Sequence, residues 1–60
     1  MDRAIKCYTN DGSSLSLYVN DTFVETVTVT DNIATFTART FSTGDVVRVQ
    51  GATTNDTVTF

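Results

Sequence analysis

The chain has 60 residues, with 4 basic and 7 acidic side chains, a formal net charge of −3, one cysteine, no histidine and no proline. This composition excludes an intrachain disulfide and a Cys/His zinc site, and it leaves no imidazole to act as a general base. The cations Arg3, Lys6, Arg39 and Arg48 are scattered, so no basic stripe forms and nucleic acid is not an expected partner.

Threonine (13), valine (8) and the two isoleucines make the chain rich in β-branched side chains. These are stiff at χ1 and suit a pleated surface better than a helix. Alternation then predicts the strands and their faces. The first strand runs about 3–8, with Ile5 and Cys7 on one face. The second runs 14–19, with Leu15, Leu17 and Val19 inward and Tyr18 outward. The third runs 23–30, with Phe23, Val27 and Val29 pointing one way and Val24, Thr26 and Thr28 the other. The fourth runs about 33–39, with Ala34, Phe36 and Ala38 inward. The fifth runs 46–50, with Val47 and Val49 inward. The sixth runs 57–60, with Val58 and Phe60 inward. No segment carries a 3.6-residue apolar period, so no helix is predicted.

Turn signals separate these runs at Asn10-Asp11-Gly12, Asn20-Asp21-Thr22, Asp31-Asn32, Gly44-Asp45 and Asn55-Asp56. Asn, Asp and Gly tolerate positive φ, and Asx side chains bond their own turns. Turns at this spacing predict a small antiparallel sandwich or barrel of about six strands in one domain, 1–60. Phe41, in the connection 40–45, is expected to fold over an open end of the core.

A domain of this size buries only about 60% of the surface its unfolded chain exposes. With no disulfide or metal to staple it, an oligomer or a larger assembly is the expected extra source of stability. The N-terminal stretch Met1–Cys7 has no apolar core of the kind a signal peptide carries. No apolar run reaches membrane-spanning length, so no membrane contact is expected. With Met1 read as the start, the chain is expected to fold in a cytoplasm.

The stretch Leu15–Val29, followed by Ala34–Ala38 and Thr43–Val49, resembles bacterial and phage immunoglobulin-like modules. The likeness is a strand, a tight Asx hairpin, a valine–threonine strand, an aromatic-centred strand and a Gly-Asp step into a valine strand. It covers roughly residues 13–50. It implies an immunoglobulin-like sandwich and a role as spacer, adhesive unit or decoration of a cell or phage surface. The chain departs from the pattern in being shorter than the about 100 residues of an immunoglobulin domain, and in lacking its paired cysteines and core tryptophan.

Residues able to carry chemistry read as structural. Cys7 lacks a neighbouring base and is expected to be a small buried hydrophobe. Asp21, Asp45 and Asp56 would bind calcium only if their loops converged; each is expected to serve its own turn. Asn20-Asp21-Thr22 and Asn55-Asp56-Thr57 match the glycosylation sequon, but both are expected to be plain hairpin turns. The serines lack a base partner, no carboxylates are paired, and Gly12, Gly44 and Gly51 are isolated, so neither an active site nor a cofactor is expected.

The outward apolar residues Tyr18, Val24 and Val46, with Tyr8 beside them, form the candidate protein-contact surface. The expectation is a non-enzymatic accessory protein that docks on an assembly. Its partner is a second copy of itself or a virion shell such as a decorated capsid. The alternative is an adhesin or carbohydrate-binding module of a larger surface protein.

Overall fold

A computed structural model describes residues 2–60; Met1 lies outside the described residues. The described residues form eight strands and no helix: β1 (Asp2–Arg3), β2 (Lys6–Tyr8), β3 (Ser14–Val19), β4 (Thr22–Thr28), β5 (Ile33–Thr35), β6 (Arg39–Thr40), β7 (Val46–Gln50) and β8 (Asn55–Thr59). The fold is all-β and every pairing is antiparallel. The predicted strands at 14–19 and 46–50 are present with those bounds.

The larger layer is a four-stranded sheet in the order β4-β3-β7-β8. The smaller is a ribbon in which β1 pairs with β6 and β2 with β5. Between those two ladders the Phe36 amide donates to the Ile5 carbonyl at 2.9 Å. The ribbon covers the sheet because alternation turns Cys7 and Ala34 inward as a direct pair. With Phe36 they form one core with Leu15, Leu17, Val47 and Val49. Leu15, Leu17 and Ala34 are fully buried.

Two hairpins rest on a recurrent piece of turn chemistry. Asn20 and Asp21 have φ of 52° and 65°, and Asp31 and Asn32 have 53° and 65°. Positive φ at both central residues is the primed turn whose twist matches the strands it joins, and Asx residues tolerate it. The third tight connection, Ser42–Asp45, closes with the Asp45 amide donating to the Ser42 carbonyl at 3.0 Å and Gly44 at φ 95°. That is the type II signature, in which the third residue must be able to take positive φ.

Register slips correct the face assignments in two places. Leu17 pairs with Glu25, but Tyr18 pairs with Phe23, so Val24 is an extra residue on β4. A bulge of this kind breaks the alternation. Val24 therefore packs against the core while Phe23 stands 56% exposed on the outer face, the reverse of the expectation. In the ribbon, Arg3 pairs with Arg39 and Lys6 with Thr35, three positions on one strand against four on the other. Ala34 and Phe36 point inward as expected, but Ala38, beyond the slip, is exposed.

Two further expectations are corrected. Asn55-Asp56 is not a turn but the start of β8; the turn is one step earlier, where the Gly51 amide donates to the Thr54 carbonyl at 2.8 Å. Asp11, expected to bond its own turn, is instead buried and bonds a distant one. Its carboxylate accepts from the Thr53 amide (3.1 Å) and the Thr53 hydroxyl (3.0 Å). Thr9 assists: its hydroxyl lies 2.5 Å from that of Thr54 and accepts from the Asp11 amide at 3.0 Å. The acid thus ties the 9–13 connection to the 51–54 turn across the end of the core.

Candidate functional site

In space the strands run β8, β7, β3, β4, β5, β2. The step from β4 to β5 is made by the hairpin bridge Thr30–Ile33 and by Glu25, which accepts from the Thr37 amide and hydroxyl at 2.6 and 3.0 Å. Among the described residues no ladder joins β2 to β8. A groove of about 460 Å³ opens there instead, walled by Lys6 and Tyr8 on one side and Asp56, Val58 and Phe60 on the other. Its floor is the core itself, at Cys7, Val47 and Val49.

The groove exists because the ribbon is narrower than the sheet. Val58 pairs directly with buried Val47, so it stands on the core-facing side of the sheet. No ribbon strand lies over it, and it remains 60% exposed. All five residues of β8 are exposed. Phe60, in the groove wall, stacks on Phe41 with ring centroids 4.6 Å apart. Phe41, expected to fold over an open end of the core, packs against the core as a partly buried side chain.

Backbone alternation sets the rim. The Phe60 amide donates to the Asp45 carbonyl (2.9 Å) and the Phe60 carbonyl accepts from the Gly44 amide (2.6 Å). Even-numbered residues of β8 therefore turn their polar groups toward β7, and Asn55, Thr57 and Thr59 turn theirs outward. On β2 the Ile5 carbonyl and Thr9 amide bond the β5 side, which turns the amides and carbonyls of Lys6 and Tyr8 outward.

A second surface lies on the outer face of the sheet. Tyr18 pairs with Phe23 on one side and Arg48 on the other. The Tyr18 and Phe23 rings meet edge to face at 5.8 Å, and the Arg48 guanidinium sits 4.4 Å from the Tyr18 ring centre. Arg48 also bonds Asp21 at 3.2 Å. An exposed cation–π contact of this kind stabilises by about 0.5–1 kcal/mol, and an exposed ion pair by about 0–1 kcal/mol. Val46, 40% exposed, borders this row on β7.

The four sequence-proposed contact residues thus separate. Tyr18 and Val46 share the outer face, and Val24 leaves it for the core. Tyr8, 75% exposed, belongs to the ribbon and lines the groove rather than standing beside Tyr18. Sequence reasoning missed Phe23 and the exposure of Val58. An adjacent Phe-Val pair behind the Asn-Asp turn carried no sign of which residue the bulge would expel. The exposure of Val58 depends on what covers β8, which a strand pattern does not encode.

Chemically the groove is quiet. Burial first, then the negative charges of Asp56 and Asp11, push the Cys7 thiol above its ordinary value, which suppresses the thiolate a nucleophile needs. Hydrogen bonding from the Ser42 amide, then from Asn20, holds the Asp45 carboxyl below its ordinary value. Its partners are at 2.9 and 3.0 Å, and the Asn20 side chain also accepts from the Val46 amide at 3.0 Å. Asp45 serves its own turn. Asp21 faces Arg48, and Asp56 stands in the groove wall. Among the described residues no group of three or more acidic, Cys or His side chains is placed to hold a metal ion. No described helix is long and apolar enough to cross a membrane. No protein-family model, curated protein or solved structure matches the chain.

Proposed function

We propose that this chain is a non-catalytic structural module that works by docking through the β8 rim onto a larger protein assembly. One observation carries the reading. The core continues into a groove whose apolar wall, at Val58, and whose strand edge, at Asn55, Thr57 and Thr59, are both uncovered. A chain this short has little burial to spare, and covering that rim adds apolar burial and backbone hydrogen bonds together. The immunoglobulin-like pattern of residues 13–50 favours a shell of repeated subunits, such as a virion surface, as the assembly.

The test is gradient sedimentation of particles from the native source, with the chain quantified by mass spectrometry. Stoichiometric co-migration with particles, lost in a Val58→Asp variant, is the expected result. A chain that stays at the top of the gradient in every preparation overturns the reading.

The Tyr18–Phe23 pair favours a second reading, a carbohydrate-binding module. A sugar needs an open ring face, and Arg48 occupies one face of Tyr18, so this reading rests on Phe23 alone. Saturation-transfer NMR with a panel of oligosaccharides decides it: a transfer signal that disappears in Phe23→Ala supports sugar binding, and none in the wild type removes it.

A further inference from the structure

The two edges of the four-stranded sheet are unlike. β4 carries the bulge at Val24, and Glu25 reaches from it to Thr37. β8 is the less guarded edge: Asn55–Thr59 contains no proline, no lysine and no bulge, its one charge is Asp56, and its register with β7 is regular over five positions. Its outward backbone groups are those of Asn55, Thr57 and Thr59, and they are symmetric about Thr57.

The geometry points to a second copy of this chain as the occupant, its β8 pairing antiparallel with the first across a two-fold axis through Thr57. Asn55 then faces the second copy's Thr59, and Thr57 faces the second copy's Thr57, each pair exchanging both backbone hydrogen bonds. The sheet doubles in width without a break. Charge selects this register. Asp56 lies opposite the second copy's Val58, so no carboxylates oppose one another, whereas a register centred on Asp56 sets two face to face. A register centred on Val58 leaves Asn55 unpaired. In the Thr57 register the two Val58 side chains lie diagonally on one face, and the grooves join into one trough.

Strand-edge pairing of five residues buries far less than the about 1,200 Å² of a standard stable interface. The dimer therefore forms and dissociates with concentration. This inference rests on the β8 rim being a contact site. It is tested on the purified chain alone, so its failure is distinct from failure of the shell-docking reading, which particle sedimentation decides.

The experiment is light scattering across a hundredfold concentration range, on the wild type and three variants. Thr57→Pro removes an amide that bonds nothing within the chain. Thr57→Lys keeps the backbone and sets two cations face to face only in the dimer, so it guards against a proline variant that fails to fold. Thr57→Cys reports the register through disulfide formation. The expected results are a wild-type mass rising from 6.5 kDa toward twice that value, and both Thr57→Pro and Thr57→Lys held at the monomer mass. Thr57→Cys should give a reducible dimer linked 57 to 57, identified by peptide mapping. A wild type that stays monomeric throughout overturns the inference. So does a Thr57→Lys variant that associates as the wild type does, or a cysteine variant that forms no 57–57 link.

Discussion

Replacing Gly51 by alanine tests whether the end of the core is packed as described. A Cβ at this position meets the Leu15 Cδ2 atom well inside van der Waals contact, lies 2.6 Å from an Asp11 carboxylate oxygen, and sits 3.2 Å from the Ser14 carbonyl. None of the three neighbours can retreat cheaply. Leu15 is fully buried, Asp11 is fixed by its bonds to Thr53, and the Ser14 carbonyl belongs to β3. Overpacking of this kind costs about 1–3 kcal/mol. A domain near this size loses about 4–8 °C of Tm per kcal/mol, so a cost near the middle of that range lowers Tm by about 8–16 °C. The comparison is Gly12→Ala in the adjoining 9–13 connection, where a Cβ meets nothing within 4 Å. That change should be neutral, or stabilising by about 0.4–1 kcal/mol through the unfolded chain. Thermal and urea melts followed by circular dichroism read both variants. If Gly51→Ala melts within a degree or two of Gly12→Ala, the packing of Leu15, Asp11 and Gly51 is not as described.

Three further outcomes are expected. Leu17→Ala empties a fully buried position at the centre of the core and should cost about 3–5 kcal/mol, comparable to the whole stability of a domain this small, so the variant is largely unfolded by circular dichroism at 37 °C. Hydrogen bonds from Thr54 and Thr53 lower the Asp11 carboxyl below its ordinary value of 3.8. The unfolded chain therefore takes up the proton first, and the stabilisation is full above that value and lost as pH falls through the lower folded-state value. Urea midpoints measured from pH 6 to pH 2 should decline at the acid end, and less steeply in Asp11→Asn. Asn32→Gly places glycine at φ 65°, creates the Asp-Gly hairpin step and leaves the Thr9–Asn32 backbone bond intact. It should stabilise by about 0.5 kcal/mol, read as a Tm rise of a few degrees.

Most of the fold was legible because alternation was clean where strands are half-buried. Leu15-Ser16-Leu17 and Val47-Arg48-Val49 each show one face, and both segments are strands with Leu15, Leu17, Val47 and Val49 in the core. The Asn20-Asp21 and Asp31-Asn32 turns were legible for the same reason: few residues tolerate positive φ, so composition marks the turn. What failed depends on register. A single extra residue at Val24 or within 36–38 reverses every face beyond it, and Thr-Val strands supply alternatives of nearly equal quality. Asp11 was misread because Asx chemistry is the same in an exposed turn and in a buried brace; only the partner loop, some forty residues on at Thr53, distinguishes them. The groove was legible in its parts, Cys7, Val47, Val49 and Val58, but not as a groove. Two edges left unjoined are a property of the whole strand order.

Amide hydrogen exchange along β8, followed residue by residue by NMR in dilute solution, addresses the open rim most directly. With β8 bonded to β7 on one side only, the Asp56, Val58 and Phe60 amides should exchange slowly and those of Thr57 and Thr59 should exchange at near solvent-exposed rates. Equal protection of both sets in a dilute monomer would mean that a strand of this same chain already covers the rim, and the account of an unfilled edge would be wrong.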